Sequence, residues 1–290
     1  MSLAYLKLLR PHQWSKNLLV FVSLVVGHQF GDTSVVVATA LCFGAFCLVA
    51  SAGYIVNDML DLEDDRNHPR KRLRPLASGQ VQAVPAGLIA VLLLGLGLYL
   101  AWLTGPYVLY CLLVYLGLSL AYSVWLKRKL MLDIIVLACL YTLRVLAGVA
   151  VIGAEPSFWL LGFPLFLFTG LAALKRYIEI HSRPEELLAA HSVRAYITTD
   201  KPLVAMLGVS NGFLAVLVLA FYLNSNEVAV LYQHVAVLWL LCPLLMYWTG
   251  RIWLLASRSL VDDDPVMFAL RDRTSYLLLL IGLLILAAAT

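Results

Sequence analysis

Long runs of apolar residues, broken only by short polar connections, dominate this sequence. The mean hydropathy is +0.88, 62% of the 290 residues are hydrophobic, and only 13% are charged. A soluble domain is about 45–50% apolar and about 25% charged, so this composition excludes a soluble globular enzyme and a disordered chain. Apolar runs of about eighteen residues or more can cross the hydrocarbon core of a membrane as helices. We therefore expect a helical integral membrane protein.

Nine apolar segments can be drawn along the chain, and several boundaries fall at Pro-containing connections such as Gly105-Pro106 and Lys201-Pro202. The sequence therefore predicts an all-α integral membrane protein with nine transmembrane helices in one domain, residues 1–290. The segments lie near residues 18–30, 35–56, 84–103, 107–126, 132–153, 158–174, 203–222, 235–253 and 276–289.

The basic residues are distributed unevenly over the connections of this nine-span arrangement. All but one of the 21 Lys and Arg residues fall on alternate connections, and the exception, Arg144, lies inside a predicted span. Cytoplasmic loops carry an excess of Lys and Arg, so we expect the N-terminus in the cytoplasm and the C-terminus outside. Residues 1–12, with leucines and basic residues at helical spacing, predict an interfacial helix. Three connections are long enough to form a cytoplasmic cap: residues 57–82, 179–202 and 256–274.

Four polar residues follow directly from the second apolar segment, at the expected membrane edge: Asn57, Asp58, Asp61 and Asp65. The aspartates are spaced i, i+3 and i+7, which places them on one stripe of a helix, and Asn57 lies one turn before Asp61. Three like charges on one stripe repel each other, and their oxygens suit the hard cations Mg²⁺ and Mn²⁺. The stripe therefore predicts a site for Mg²⁺, or alternatively Mn²⁺, that also binds substrate phosphate oxygens. A solvated acidic loop is the competing interpretation.

A basic stretch, residues 68–79, follows the acidic stripe and includes Lys71, Arg72 and Arg74. Arg can bind phosphate oxygens through two parallel hydrogen bonds, whereas Lys acts as a point charge. These residues are therefore predicted to hold a diphosphate beside the metal. A positively charged loop at the cytoplasmic face also fits a simple topology signal or a contact with anionic lipids.

Further charged residues lie within or at the ends of later apolar segments. Asp133 and Arg144 are separated by about three helical turns and would project on the same side of one helix. A charge as deep as that of Arg144 normally lines a cavity or meets a partner, so we interpret it as an anion site rather than a structural ion pair. At the end of the sixth segment, Lys175, Arg176 and Glu179 form another candidate site, with an ordinary helical ion pair as the alternative.

The acidic stripe and its surroundings resemble the UbiA superfamily of intramembrane prenyltransferases. The resemblance rests on Asn57-Asp58-x-x-Asp61-x-x-x-Asp65, followed by His68-Pro69, Arg74-Pro75 and Ser78-Gly79. It implies nine transmembrane helices around a central cavity, with the active site under a cytoplasmic cap. It also implies that the polar residues of the stripe bind Mg²⁺ and the diphosphate of the donor, and that the membrane is a bacterial inner membrane.

A narrower resemblance points to decaprenyl-phosphate phosphoribosyltransferases, which move 5-phosphoribose from phosphoribosyl diphosphate to a polyprenyl phosphate. It rests on the similar stretches 9–17, 122–127, 143–148 and 175–179. With this resemblance, we expect catalytic side chains at Asp58, Asp61, Asp65, Lys127 and Asp133. We expect substrate-binding side chains at Arg10, Lys16, Asn17, Lys71, Arg72, Arg74, Tyr122, Arg144, Lys175, Arg176 and Glu179.

One departure from the family pattern bears on the donor. Aromatic prenyltransferases of the family usually carry a second D-x-x-x-D motif after the sixth span, whereas this chain has Lys175-Arg176-x-x-Glu179 there. One acid with two bases suits a substrate with an additional phosphate, which favours phosphoribosyl transfer over transfer of an isoprenyl group to an aromatic or lipid acceptor.

The expected partners are therefore a diphosphate donor, a polyprenyl phosphate or other lipid acceptor, and membrane lipids. A polyprenyl-phosphate binding protein or flippase without chemistry is an interpretation of a different class. Nucleic acid is not an expected partner, because the net charge is only +4 and the basic residues are mixed with acids.

Overall fold

The computed structural model describes residues 2–67, 71–155, 157–182, 196–261 and 264–290, and within these ranges the regular structure is helical, without strands. The motif residues His68-Pro69 lie outside the described residues. The same holds for parts of the three predicted cap connections, at residues 68–70, 183–195 and 262–263.

The longer helices are α1 (Ser2–Leu9), α2 (Thr33–Leu60), α3 (Ala83–Thr104), α4 (Pro106–Val124), α5 (Leu132–Ile152), α6 (Phe158–His181), α7 (Lys201–Leu223), α8 (Leu241–Ser257) and α9 (Arg273–Ala289). Short α-helices lie at Val22–Val26, Leu62–Asn67, Asn226–Leu231, Val235–Leu238 and Pro265–Ala269. Segments of 3₁₀-helix lie at Pro11–Phe21, Gln29–Gly31, Lys71–Leu73, Leu126–Arg128 and Thr198–Asp200.

Seven segments of the described chain are long and apolar enough to cross a membrane. They are the segments of α2 to α7 and the segment Val235–Ser257, which contains α8. The first and last predicted spans are shorter: the first is mostly 3₁₀-helix, and α9 has 17 residues, about 25 Å of helix. The all-helical integral membrane protein is therefore confirmed. The count of nine spans and the cytoplasmic cap stay predictions.

The chain divides into two compact units, the first formed by Met1–Val124 and Leu143–Glu155 and the second by Trp125–Thr142 and Pro156–Thr290. Helix α5 contributes residues to both units. The single domain over residues 1–290 stays a prediction.

In the first unit, α2 is the central helix, and α1 packs against its C-terminal half. Leu8 is buried in an apolar cluster with Ala52 and Ile55 of α2. The indole Nε1 of Trp14 donates a hydrogen bond to Ser51 Oγ at 3.0 Å. Ser51 Oγ in turn donates to the backbone oxygen of Leu9 at 2.8 Å. These contacts hold the N-terminal segment beside the end of α2, where the acidic stripe begins.

In the second unit, α6, α7 and α8 pack closely because two glycines of α7 leave room for side chains of α8. A Cβ atom on Gly208 would lie 2.1 Å from the ring of Trp253, and one on Gly212 would lie 2.4 Å from Thr249 Cγ2. Small residues allow such close approach between membrane helices. This packing supports the C-terminal end of α6, which carries the predicted residues Lys175, Arg176 and Glu179.

Candidate active site

The acidic stripe lies on a nearly continuous helical path at the end of α2. Asp61 follows the last residue of α2, and its backbone N–H donates to the oxygen of Asn57 at 2.9 Å. The N–H of Asp65 donates to the oxygen of Asp61 at 2.8 Å, so the helical hydrogen bonding continues into Leu62–Asn67. Asp58 and Asp65 are only 2% and 1% exposed, whereas the neighbouring Asp64 is exposed. Helical periodicity therefore points two of the aspartates inward.

Two arginines neutralise these buried carboxylates. Arg74 Nη1 lies 3.1 Å from Asp58 Oδ1 and 2.5 Å from Asp65 Oδ2, so one guanidinium bridges the two aspartates. Arg10 Nη2 lies 2.5 and 2.8 Å from the two carboxylate oxygens of Asp58. A buried carboxylate is tolerated when it is paired and hydrogen-bonded, which explains why both arginines turn toward it. The structure thus brings together Asp58, Asp65, Arg10 and Arg74, all predicted site residues.

One oxygen of this cluster differs from the others. Oδ1 of Asp65 is buried and accepts no hydrogen bond from the residues that the structure describes. It lies 3.8 Å from Lys71 Nζ, beyond hydrogen-bonding distance. A buried acceptor without a donor is costly, and a bound cation would relieve that cost. Hard carboxylate oxygens are the ligands that Mg²⁺ prefers, so Asp65 fits a metal ligand chemically.

The remaining stripe residues pair with each other, since Asn57 Nδ2 donates to Asp61 Oδ2 at 3.1 Å. Across the described parts of the chain, no group of three or more Asp, Glu, His or Cys side chains lies close enough together to hold a metal ion. A metal ion bound by three aspartates therefore requires these side chains to move, and that ligand set stays a prediction.

A second polar group in the first unit surrounds Arg144, which is 5% exposed. Its Nε donates to Asn17 Oδ1 at 2.7 Å, and its Nη2 donates to the Tyr115 hydroxyl at 3.0 Å. The guanidinium also lies 4.6 Å from the centroid of the Tyr115 ring. Lys16 and Asn17 are both buried. Sequence reasoning missed Tyr115, because a tyrosine within an apolar run carries no signal that distinguishes it from a packing residue.

Asp133 belongs to a network in the second unit. It is fully buried and accepts hydrogen bonds from Arg176 Nε and, at 2.8 Å, from the Tyr196 hydroxyl. Arg176 also donates to Glu179 through Nη1. The Tyr196 hydroxyl accepts from the backbone N–H of Met131 at 3.0 Å, and burial raises the pKa of Tyr196 above its ordinary value. Tyr196 was missed because it stands alone in a polar connection.

The other predicted residues are placed as follows. Lys175 Nζ lies 3.8 Å from Asp264 Oδ2, so this lysine has an acidic neighbour from a different part of the chain. Lys127 is buried in the 3₁₀ segment Leu126–Arg128, Tyr122 is half-buried in α4, and Arg72 is exposed. The predicted site residues thus fall into separate groups within the two units.

Comparison with known proteins gives this arrangement a family context. Residues 18–271 match the UbiA prenyltransferase family. The uncharacterized protein y4nM of Sinorhizobium fredii is 37% identical over 285 residues, which is 98% of this chain and 55% of that protein. Decaprenyl-phosphate phosphoribosyltransferase of Mycobacterium tuberculosis is 37% identical over 179 residues, 60% of this chain and 59% of that protein. Each of these matches therefore spans little more than half of the relative's length.

A solved structure shows the same fold. A UbiA homolog from Archaeoglobus fulgidus bound to GPP and Mg²⁺ superimposes with a TM-score of 0.74, covering 98% of this chain and 99% of that chain at 18% identity. At this identity the likeness concerns the fold alone. The family match over most of the chain, together with the seven segments long and apolar enough to cross a membrane, identifies this chain as an integral membrane protein that belongs to the UbiA prenyltransferase family of transferases.

Proposed function

We propose that this chain is a Mg²⁺-dependent transferase that joins a group from a diphosphate donor to a lipid acceptor within the membrane. Its specific reaction is transfer of 5-phosphoribose from phosphoribosyl diphosphate to a polyprenyl phosphate. The observation that carries the proposal is the buried pair Asp58 and Asp65, in which Asp65 Oδ1 receives no hydrogen bond from the described residues while Arg10 and Arg74 hold the other oxygens.

Different side chains would bind different parts of the donor. Mg²⁺ on the aspartate oxygens would act as a Lewis acid that stabilises the leaving diphosphate. Arg10 and Arg74 would exchange their carboxylate partners for phosphate oxygens, with which a guanidinium forms strong paired hydrogen bonds. Lys71, whose side chain is 43% exposed, would add a point charge at the edge of the site. The acceptor phosphate is already a nucleophile, so this reaction needs no strong general base.

Two observations support phosphoribose as the transferred group. The first is the 37% identity to a decaprenyl-phosphate phosphoribosyltransferase over 179 residues. The second is the basic pair Lys175 and Arg176, which stands where aromatic prenyltransferases of the family usually carry a second acidic motif. Arg176 is bound by Asp133 and Glu179, whereas the Lys175 side chain is 29% exposed and therefore the better candidate to meet a substrate phosphate.

Prenyl transfer is the second candidate function, because the family that matches residues 18–271 is described as a prenyltransferase family. In that case the same carboxylates would bind an isoprenyl diphosphate, and the acceptor would be an aromatic or lipid molecule. For both functions we propose a bacterial inner membrane with the N-terminus in the cytoplasm and the C-terminus outside, which the distribution of Lys and Arg supports.

The test compares two neighbouring aspartates in purified protein in nanodiscs with Mg²⁺ and a short polyprenyl phosphate. Asp65→Asn removes a buried carboxylate, and Asp64→Asn is the matched control, because Asp64 is exposed. With phosphoribosyl diphosphate as donor, we expect diphosphate release by the wild type and by Asp64→Asn, and none by Asp65→Asn. Equal release by the two variants would contradict the proposed role of the buried carboxylates.

A second arm of the experiment identifies the donor. Geranylgeranyl diphosphate replaces phosphoribosyl diphosphate, with aromatic and lipid-alcohol acceptors supplied, and the lipid product is identified by mass. A phosphoribosylated lipid formed only with the first donor supports phosphoribosyl transfer. A prenylated product would assign the chain to the second candidate function. Movement of the polyprenyl phosphate across the bilayer of proteoliposomes, with neither product formed, would favour a flippase.

A further inference from the structure

A cleft of about 510 Å³ opens between α1 and the buried end of α2. Asp58, Arg10 and Arg74 contribute to its wall, so the cleft reaches the carboxylate that the proposed function assigns to the metal and the diphosphate. Leu3, Leu6 and Lys7 of α1 also line the cleft. A molecule in this cleft would therefore lie next to the bound donor.

The residues of α1 and its C-terminal end that line the cleft are of two kinds, apolar and basic. Leu3 and Leu6 are 65% and 54% exposed, so α1 presents apolar surface that the described residues do not cover. Lys7 is one residue beyond Leu6 and is also exposed, and Arg10 lies one helical turn from it. The cleft thus offers an apolar strip that leads to a group of cations. A ligand with an anionic head on an apolar chain complements both parts.

We infer that this cleft binds the lipid acceptor, with its phosphate at Lys7 and Arg10 and the first isoprene units along Leu3 and Leu6. The inference rests on the proposed function, because it names the acceptor's place beside the donor site. A phosphate between these cations would approach the donor from the side of Asp58. The apolar chain would leave along α1, a helix expected to lie in the membrane interface.

Arg10 connects the cleft to the donor site. Its backbone has φ 52° and ψ 57°, a left-handed conformation that is uncommon for a residue other than glycine, at the junction between α1 and the 3₁₀ segment Pro11–Phe21. This conformation directs the guanidinium to Asp58 at 2.5 Å. A guanidinium carries five N–H donors, so Arg10 can bind a phosphate of the donor and the phosphate of an acceptor in the cleft at the same time.

The test measures equilibrium binding of a labelled short polyprenyl phosphate to the full chain in phosphatidylcholine nanodiscs, without donor. Lys7→Gln should weaken binding of the phosphate about tenfold and leave binding of the matching polyprenol unchanged, since it removes one charge-assisted contact. Leu6→Ser should weaken binding of both the polyprenyl phosphate and the polyprenol. Arg66→Gln and Val84→Ser are controls, because both residues are exposed and lie outside the cleft, and both should bind like the wild type.

The outcomes separate this inference from the proposed function. Unchanged affinity for the polyprenyl phosphate in Lys7→Gln and Leu6→Ser, together with normal phosphoribosyl transfer, would contradict acceptor binding in the cleft but not the proposed function. If the variants lose affinity for the polyprenyl phosphate as expected but the wild type transfers no phosphoribose, the cleft is supported as a binding site for the lipid and the proposed function is contradicted. Phosphatidylglycerol that competes as well as the polyprenyl phosphate would assign the cleft to a bilayer lipid and overturn the acceptor site.

Discussion

Arg144 and Asn17 are 127 residues apart in the sequence, and the Nε of Arg144 donates a hydrogen bond to Asn17 Oδ1 at 2.7 Å. Both residues are buried. A cation inside a membrane protein is tolerated when polar groups replace its water, and here an amide oxygen, the Tyr115 hydroxyl and the Tyr115 ring surround the guanidinium. The contact also fixes the N-terminal segment against α5 within the first unit.

We expect Asn17→Ala to destabilise the protein, because the Arg144 guanidinium would lose an acceptor in a buried environment. The loss should be about 1–3 kcal/mol, visible as a lower midpoint of thermal unfolding in detergent. Asn67→Ala is the control, since the Asn67 side chain takes part in a hydrogen bond as the donor to Glu63 O, but in an exposed position. Equal midpoints for the two variants would show that the buried hydrogen bond contributes no more to stability than the exposed one.

If Asp58 binds a metal ion as proposed, Arg10 would compete with that ion for the carboxylate, and replacement of Arg10 should have two opposite effects. Without donor, Arg10→Gln should bind Mn²⁺ more tightly than the wild type, as measured by electron paramagnetic resonance of the free ion. Affinity for phosphoribosyl diphosphate should fall, because a guanidinium donor to the phosphates is lost. Each change should be about tenfold, the value of one charge-assisted contact.

The control for this prediction is Arg66→Gln, which removes an exposed cation close to the acidic stripe. It should leave both affinities near those of the wild type. If the affinities for metal and donor changed in the same direction in Arg10→Gln, this would contradict the proposal that the Arg10 guanidinium moves from the Asp58 carboxylate to a phosphate of the donor.

Tyr196→Phe should loosen the network around Asp133. The substitution removes a donor to Asp133 and an acceptor for the N–H of Met131, whose φ of 66° holds that N–H in an unusual direction. The expected cost is about 1–2 kcal/mol in thermal or denaturant unfolding. Tyr99→Phe, at a tyrosine that is 54% exposed, should cost less, and the reverse order would contradict a structural role for the buried hydroxyl.

Arg251 and Asp272 should make stability depend on pH in the acid range. Hydrogen bonds from Arg251, at 2.7 and 3.0 Å, lower the pKa of Asp272 from 3.8 to about 2. Because the folded-state pKa is the lower one, the stabilisation is complete above about pH 4 and is lost as the pH falls through 2. Its size is at most about 2 kcal/mol, reduced by solvent screening at a partly exposed pair.

The measurement is the unfolding midpoint of the wild type and of Asp272→Asn between pH 6 and pH 2. The two proteins should differ most at pH 6 and converge toward pH 2. Asp64→Asn is the control and should follow the wild type at every pH, because Asp64 is exposed. A difference between wild type and Asp272→Asn that grows on acidification would contradict the assignment.

Much of the fold and part of the candidate site were predictable, because both depend on local pattern. Apolar runs determine that the chain forms membrane-spanning helices, and seven such segments are present in the described chain. The spacing of Asp58, Asp61 and Asp65 determines that these residues share a helical path, and the stretch around Arg74 indicated a basic partner. Hydropathy and the helical period act over a few residues, so the sequence carries them directly.

The partners of the polar residues were decided only by the tertiary structure. Asp133 and Arg144 lie on one helix, yet Asp133 is bound by Arg176 and Tyr196, and Arg144 by Asn17 and Tyr115. Likewise, Arg10 reaches Asp58 from 48 residues away. A hydrogen bond requires atoms within about 3 Å, and packing of distant segments sets that distance. Local sequence patterns contain no information on it, which is why the residue types were predictable and their pairing was not.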